Sequence, residues 1–451
     1  AVAVIQDGEV IYSQGFGSRN VATGDPFTPQ TQFRIGSTTK SMTSLLVAQL
    51  VDEGKLSWDT PVTEIYPDFQ TSDPELTAQL TLRDLMGMGT GLESDDLVSL
   101  DWGLWTEADL FKAIAAQTAV GEFRQHYAYN NEVYASAGYL AALAAGESLT
   151  LESYKTLIQS RLFDPLGMSS TIITDDRSQL SDNYSESYGF TLIDSITNAD
   201  LVLPAPINVV APAGAVWSSL EDMSRYVITQ MNGGVSPDGT RLVSEVNLAI
   251  TWEAQTVMPN EEPEIENLGY GMGWVSGTYN GLPFRYHDGG WDGYRTMMTI
   301  FPDTQTGLII FCNHLFGDLF NNALMYAFGE MLDGGDPTPI LDEFHTVFDE
   351  NYVSIDAQLG FLPPPEVDPA VVAPLLGDYE QGWTLEQRAD NRLWLIRPNW
   401  EMVLRPLPGV DIYLVSSGAA IGATAQFAVE GDEVTLTLDL AGEAWTFAKV
   451  G

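Results

Sequence analysis

Apolar and polar residues alternate at the start of the chain, AVAVIQDGEVIYSQGFG, and the two alternating runs meet at Asp7-Gly8. A period of two marks strands and Asp-Gly between such runs marks a tight turn, so a β-hairpin is expected there. From Ser37 to about Gly189 the period lengthens. In MTSLLVAQLVDEG the apolar residues fall at 42, 45, 46, 47, 50 and 51 and the run stops at Gly54, which spells a helix. TEADLFKAIAAQ and NEVYASAGYLAALAAG read as two further helices. Alternation returns from about residue 207 to 330. There FRYHDGGWDGYRTMMTIFPDTQTGLIIFCN reads as strand, glycine-rich turn, strand, Asp-containing turn, strand, and LFNNALMYAFGEML follows as a helix. Strands at both ends with helices between predict an α+β fold whose sheet draws on both ends of this segment.

Beyond residue 332 the pattern changes again. DGGDPTP is a breaker cluster, ILDEFHTVFDENY a helix, and FLPPPEVDP a stiff proline linker, so 333–370 is expected to be a linker with one helix. After it, TLEQRA, RLWLIRP, EMVLRPL, DIYLVSS, AQFAVEG, EVTLTLDL and AWTFAKV recur every 8 to 12 residues with turn signals between them. That predicts a small all-β barrel over 371–451. No internal repeat or low-complexity segment is visible.

Composition narrows the function classes. A length of 451 residues suits two or three domains, and 45% apolar residues suffice for a sizeable core. The longest apolar stretches, LAALAAG and TGLIIFC, fall far short of the roughly 18 residues of a membrane span, so the chain reads as soluble. Sixty-two acidic against 19 basic residues give a net charge of −43, which repels nucleic acid and anionic membranes. The acidity is spread along the chain, with a local maximum at NEEPEIEN (260–267), and only five residues are lysine. This suits either a high-salt habitat, where screening removes self-repulsion, or an acidic exported protein. Cys312 is the sole cysteine, which excludes an intrachain disulfide and a cysteine metal site; GLIIFCNH reads as a buried strand. No leader is visible, and a chain that opens inside a hairpin favours export with the leader removed.

Three stretches can carry chemistry. In FRIGSTTKSM, Ser37 and Lys40 are spaced to share one helix face, and a serine beside a poorly solvated lysine is one route to a nucleophile. The plainer reading makes Ser37 a helix cap and Lys40 an exposed first-turn residue. In HYAYNNEVYASAGYL, Tyr129 and Asn131 precede a helix, where asparagine alone would be an N-cap. In YHDGGWDGY, His287, Asp288, Gly289 and Gly290 alone would be a turn. His126, His314 and His345 have no metal-ligand spacing and read as structural, and no Gly-x-Ser-x-Gly, His-Glu-x-x-His or P-loop motif occurs.

Taken in order, Ser-x-x-Lys, Tyr-x-Asn about 90 residues on and His-x-Gly on a late strand resemble the serine β-lactamase and penicillin-binding-protein superfamily, nearest its class C-like, esterase and D-aminopeptidase branch. FRIGSTTKSMTSLLVAQLVDEGKLSWDTPV, LTLRDLMGMGTGL, LFDPLGMSST, PAGAVWSSLEDMSRY and YGMGW are similar to its conserved segments, and together they cover residues 1 to about 330. The resemblance implies an antiparallel sheet flanked by helices, with an inserted all-helical region. It implies Ser37 as the nucleophile that forms an acyl-enzyme, with Lys40 or a partly ionised Tyr129 as base. Asn131 would bind the substrate amide or orient Lys40, and His287 and Gly289 would line the pocket. The N–H groups of Ser37 and Gly290 would form the oxyanion hole, Gly290 being glycine so as not to crowd the substrate. No metal or organic cofactor is required, the partner is a small acyl substrate or short peptide, and homo-oligomerisation is open. The terminal barrel resembles the lipocalin-like domains appended to some members.

Two departures stand out. The family's β-lactam-active members have lysine where this chain has His287, and Asp288 adds a negative charge beside it. A carboxylate-binding cation is therefore missing, and a peptidase or esterase is expected ahead of a true β-lactamase or a catalytically retired sensor. Met88 replaces a usual histidine in MGMGTG, a position read as structural.

Overall fold

The computed structural model describes residues 1–93, 102–191, 195–202, 206–260, 264–359, 367–389, 391–398, 400–407, 412–415, 423–431, 433–440 and 443–450. It separates into two compact units. The first comprises 1–186, 206–313 and 317–342, and the second 187–205, 314–316 and 343–451.

The first unit is built on an eight-stranded, wholly antiparallel sheet. Its strands are β1 (Val2–Gln6), β2 (Glu9–Gln14), β3 (Thr256–Val257), β4 (Ile265–Tyr270), β5 (Val275–Tyr279), β6 (Leu282–Trp291), β7 (Tyr294–Phe301) and β8 (Thr306–Cys312), in the order β3-β4-β5-β6-β7-β8-β1-β2. The expected opening hairpin is present. Asp7 and Gly8 both take positive φ, 52° and 79°, the backbone a two-residue turn between right-twisted strands requires.

Alternation along the central strands buries both faces. Ala3, Ile5, Met298, Ile300, Ile309 and Phe311 pack on one side with Met223 and Val227 of the helix Leu220–Met231. On the other side Met297, Leu308 and Ile310 join Met325 of the helix Gly317–Leu332. Between β2 and β3 the chain leaves the sheet and forms most of the helices. Among these are α1 (Thr39–Asp52) and α2 (Asn131–Ala144), whose residues are buried along most of their length. Gly54, at φ 70°, follows α1 where the sequence placed the stop.

One expected turn is displaced. The glycine-rich turn predicted at His287–Gly290 is strand: β6 runs through it to Trp291, and the chain reverses at Asp292-Gly293, with φ of 34° and 89°. Asp-Gly suits a tight hairpin turn, whereas Gly289 serves a close approach described below.

In the second unit β9 (Gly377–Tyr379), β10 (Trp383–Gln387), β11 (Leu393–Arg397), β12 (Trp400–Pro406), β13 (Ile412–Val415), β14 (Thr424–Glu430), β15 (Glu433–Leu440) and β16 (Glu443–Ala448) form an antiparallel meander. A bridge between Tyr379 and Lys449 brings its two ends together, so the barrel is nearly closed. All seven predicted runs are strands, and β9 is an eighth. This unit also holds the hairpin Ser187–Thr191 and Ser195–Val202, which the sequence reading did not anticipate. The predicted helix lies within Thr338–Leu359, while most of the proline linker falls outside the described residues. Among the described residues no helix is long and apolar enough to cross a membrane.

Candidate active site

Ser37 lies in a short 3₁₀ turn, Gly36–Thr38, that leads into α1. It caps nothing, and Lys40 is completely buried rather than exposed, so the plainer reading of Ser-x-x-Lys does not hold. The turn is fixed by Gly36, whose φ of +54° suits glycine. A Cβ at Gly36 would sit 2.7 Å from Gly290 N, and one at Gly289 would sit 2.1 Å from Ile35 O and 3.1 Å from Ser37 N. Three glycine backbones thus bring β6 against the nucleophile turn. The expectation for Gly290 itself is corrected: a Cβ there would point at the Arg295 side chain, 3.2 Å from Nη1, and not into substrate space. Gly289 likewise contacts the backbone of the turn, so its part in the pocket is to admit that approach.

The Lys40 ammonium makes three contacts. Nζ lies 3.0 Å from Ser37 Oγ, 2.7 Å from Asn131 Oδ1 and 2.9 Å from Ala213 O. It also sits 4.8 Å above the Tyr129 ring and 5.6 Å above that of Tyr134. Burial drives its pKa from 10.5 to about 7, with Asp288 and Glu132 resisting the fall. The amide and carbonyl oxygens of Asn131 and Ala213 can only accept. In the neutral amine they take both N–H groups, so the lone pair is left facing Ser37 Oγ.

Tyr129 Oη lies 2.8 Å from Ser37 Oγ. The residue is 37% exposed, yet its phenol is held well above the ordinary value of 10, chiefly by desolvation, with Asp288 and Tyr127 adding to the rise and the Ser37 hydrogen bond opposing it. A partly ionised Tyr129 in the resting state, as the resemblance implied, does not fit this setting. Asn131 is the first residue of α2; its neighbour Asn130 is the N-cap, accepting from Val133 N at 2.9 Å. That division of labour leaves the Asn131 amide to Lys40.

His287 does not line the cavity directly. It is 2% exposed, and Nδ1 donates to Asp288 O at 2.6 Å, which leaves Nε2 to accept from Tyr270 Oη at 2.9 Å. Burial lowers its pKa from 6.5 to about 4, helped by Lys40 and opposed by Asp288, so it is neutral at pH 7. Its partner Tyr270 presents its ring edge-on to Tyr129, centroids 6.2 Å apart.

Several further groups belong to the site. Ala213 supplies a backbone oxygen from within PAGAVW. Gly273 of YGMGW, at φ 77°, lets its loop press on α1, since a Cβ there would lie 2.7 Å from Lys40 C and Ser41 N. Glu132 is fully buried and accepts from Trp102 Nε1 at 2.8 Å, and Trp102 stacks on Trp291 with centroids 5.8 Å apart. The two tryptophans join Ser37, Asn131, Gly290, Ile207 and Val210 around a cavity of about 40 Å³. Only the motifs YGMGW and PAGAVW hinted at any of these groups in the sequence. Met88 has a structural place: it is 1% exposed at φ 55°, and its Sδ accepts from Asn130 N at 3.3 Å. Among the described residues no group of His, Cys, Asp or Glu is placed to hold a metal ion.

An antiparallel sheet with an inserted helical segment, and a buried lysine and a tyrosine converging on one serine, are a fold and a site of the β-lactamase type. The chain belongs to the Beta-lactamase family, whose sequence model matches residues 1–327. It is 28% identical to the Unguisins hydrolase of Aspergillus violaceofuscus over 80% of this chain and 65% of that one, so it spans less than two thirds of that relative. It is 27% identical to Penicillin-binding protein 4 of Amycolatopsis lactamdurans, covering 84% of this chain and 92% of the relative. The structure of an octameric penicillin-binding protein homologue from Pyrococcus abyssi shares the fold, with a TM-score of 0.62 at 20% identity over 99% of this chain and 95% of that one.

Proposed function

We propose that this protein hydrolyses small acyl substrates (peptides, D-amino-acid amides or esters) through an acyl-enzyme on Ser37. The observation that carries the reading is the set of contacts at Lys40 Nζ: two fixed acceptors and a serine hydroxyl around an amine that burial keeps half neutral near pH 7.

The chemistry follows from those contacts. Neutral Lys40 takes the Ser37 proton as Oγ attacks the acyl carbon. The N–H groups of Ser37 and Gly290 receive the negative charge that develops on the carbonyl oxygen, and β6 is close enough to Ser37 to provide the second of them. Tyr129, a neutral phenol at 2.8 Å from Oγ, gives its proton to the departing amine or alkoxide. The site then holds a lysine ammonium and a tyrosinate side by side. In the second half the tyrosinate takes a proton from water, the hydroxide adds to the ester, and Lys40 returns its proton to Ser37. All groups end as they began.

β-Lactam turnover is the lesser reading. The residue at the place of the family's lysine is a neutral imidazole engaged on both nitrogens, and Asp288 beside it is negative. A panel of a p-nitrophenyl ester, a D-amino-acid p-nitroanilide and a chromogenic cephalosporin, with Ser37→Ala as control, tests the proposal. Turnover of the ester or anilide that Ser37→Ala abolishes is expected. Cephalosporin turnover equal to the ester's would reverse the preference, and no turnover with no acyl adduct would point to a retired site.

A further inference from the structure

The edge of β6 beside Ser37 carries a charge that the reaction itself does not use. β5 pairs with β6 only as far as Tyr286, so His287 to Trp291 are bonded to β7 on one side and lie open on the other, toward the nucleophile turn. Along this edge Trp291 borders the apolar cavity and Gly290 adjoins Ser37. Asp288 lies two residues further back, roughly 7 Å along the strand. Its side chain is 59% exposed.

Among the described residues no lysine or arginine forms an ion pair with the Asp288 carboxylate. Arg295, on the neighbouring strand, is committed to Asp318 at 2.5 Å. His287, whose Nδ1 is 4.0 Å from Oδ1, already donates to the backbone oxygen of Asp288. Lys40 is buried and engaged on three sides. Asp288 stands within electrostatic reach of Lys40, Tyr127 and Tyr129. An exposed carboxylate at this strand edge favours a protonated amine and disfavours an anion.

We propose that Asp288 is a specificity-determining residue that selects substrates with an ammonium group a few ångströms from the scissile carbonyl and rejects those with a carboxylate there. The inference rests on the hydrolase reading and narrows its substrate class. Such substrates lay an apolar group against Trp102 and Trp291 and the cationic group along Asp288, with the carbonyl between Ser37 and Gly290.

The test uses two matched sets of esters with the full chain. One set carries the charge on the acyl side: p-nitrophenyl 4-(trimethylammonio)butanoate, 5,5-dimethylhexanoate and 4-sulfobutanoate. The other carries it on the leaving group: phenyl acetates with a 4-aminoethyl, 4-ethyl or 4-carboxymethyl substituent. Assays at pH 8.5 keep Lys40 mostly neutral in every variant. In at least one set kcat/KM should favour the cationic over the anionic member by on the order of 30-fold, and Asp288→Asn should bring the ratio to within about threefold. Asp288→Lys should invert it. Because the ratio is read within each protein, a general loss of activity in a variant cancels. The net charge of −43 attracts cations to any site, and Asp288→Asn separates the two effects by removing a single charge. A ratio near one in both sets, a preference for the anion, or a ratio that survives Asp288→Asn would overturn the proposal. Failure of even the neutral esters would instead contradict the hydrolase reading.

Discussion

At the scale of single residues, the balance around Lys40 sets both rate and stability. The amine must be neutral to accept a proton, so kcat/KM for a neutral ester should rise with pH to a plateau, with a midpoint near the Lys40 pKa of about 7. Glu132 favours the charged form, and its bond to Trp102 can be kept by glutamine. Glu132→Gln should therefore lower the Lys40 pKa and move the limb to lower pH, by about half a unit to one unit. An unchanged limb would remove Glu132 from the electrostatics of the site. Burying this lysine also costs stability. Its pKa is about 7 folded and 10.5 unfolded, so the unfolded chain binds more protons between those values and stability rises with pH across that window. Lys40→Met should be inactive yet more stable at pH 7 by a few kcal/mol, with a gain that shrinks toward pH 10.5. Thermal melts of both proteins at pH 7 and pH 10 check the sign.

Some of this was legible in the sequence, for definite reasons. Ser37, Lys40, Tyr129 and Asn131 act through side chains at short, ordered spacings, and the structure brings all four together. Ala213 acts through a backbone oxygen, which no residue type announces, and meets Lys40 across 173 positions. The family resemblance placed His287 in the pocket wall, and alternation along β6 cannot show that the residue is covered. The Tyr270 hydroxyl that occupies its Nε2 arrives from another strand.

At the scale of elements, the site depends on how closely β6 approaches the turn before α1. Gly36 and Gly289 have no room for a methyl group, since the obstacles are backbone atoms at 2.7 and 2.1 Å. Gly290 has a movable arginine at 3.2 Å. Gly36→Ala and Gly289→Ala should each reduce kcat/KM by about 100-fold or more, or fail to fold, while Gly290→Ala should stay within about tenfold of the parent. The reverse order would mean that Gly290 faces the substrate, as the sequence reading had it. The same approach explains the misplaced turn. Two adjacent glycines signal a reversal when read alone, but here they remove side chains from a strand edge and the reversal falls to Asp292-Gly293.

At the scale of the whole molecule, charge is the dominant feature. With 62 acidic and 19 basic residues most carboxylates have no cation to pair with, and one of the five lysines is buried in the site. Self-repulsion opposes folding and falls as salt shortens the screening length. The melting temperature should rise by about 10 °C or more between 0.05 M and 2 M potassium chloride. A flat response would favour the reading of a merely acidic protein over adaptation to high salt. The two compact units also differ in how openly their sequences declared them. Seven of the barrel's eight described strands showed themselves, because each alternates and is bounded by turn residues, while the three-residue β9 is too short to show a period. The hairpin Ser187–Val202 belongs to the same unit but is far from it in sequence, so periodicity gave no reason to group the two.

The central claim, that Ser37 is a nucleophile deprotonated by a buried Lys40, is tested most directly by labelling Ser37 with a fluorophosphonate across pH and locating the adduct by peptide mass spectrometry. The account predicts one adduct, on Ser37, with a second-order rate that rises to a plateau with a midpoint near pH 7. Lys40→Ala should slow labelling by about 100-fold or more. No adduct at Ser37, or labelling at an unchanged rate in Lys40→Ala, would contradict it.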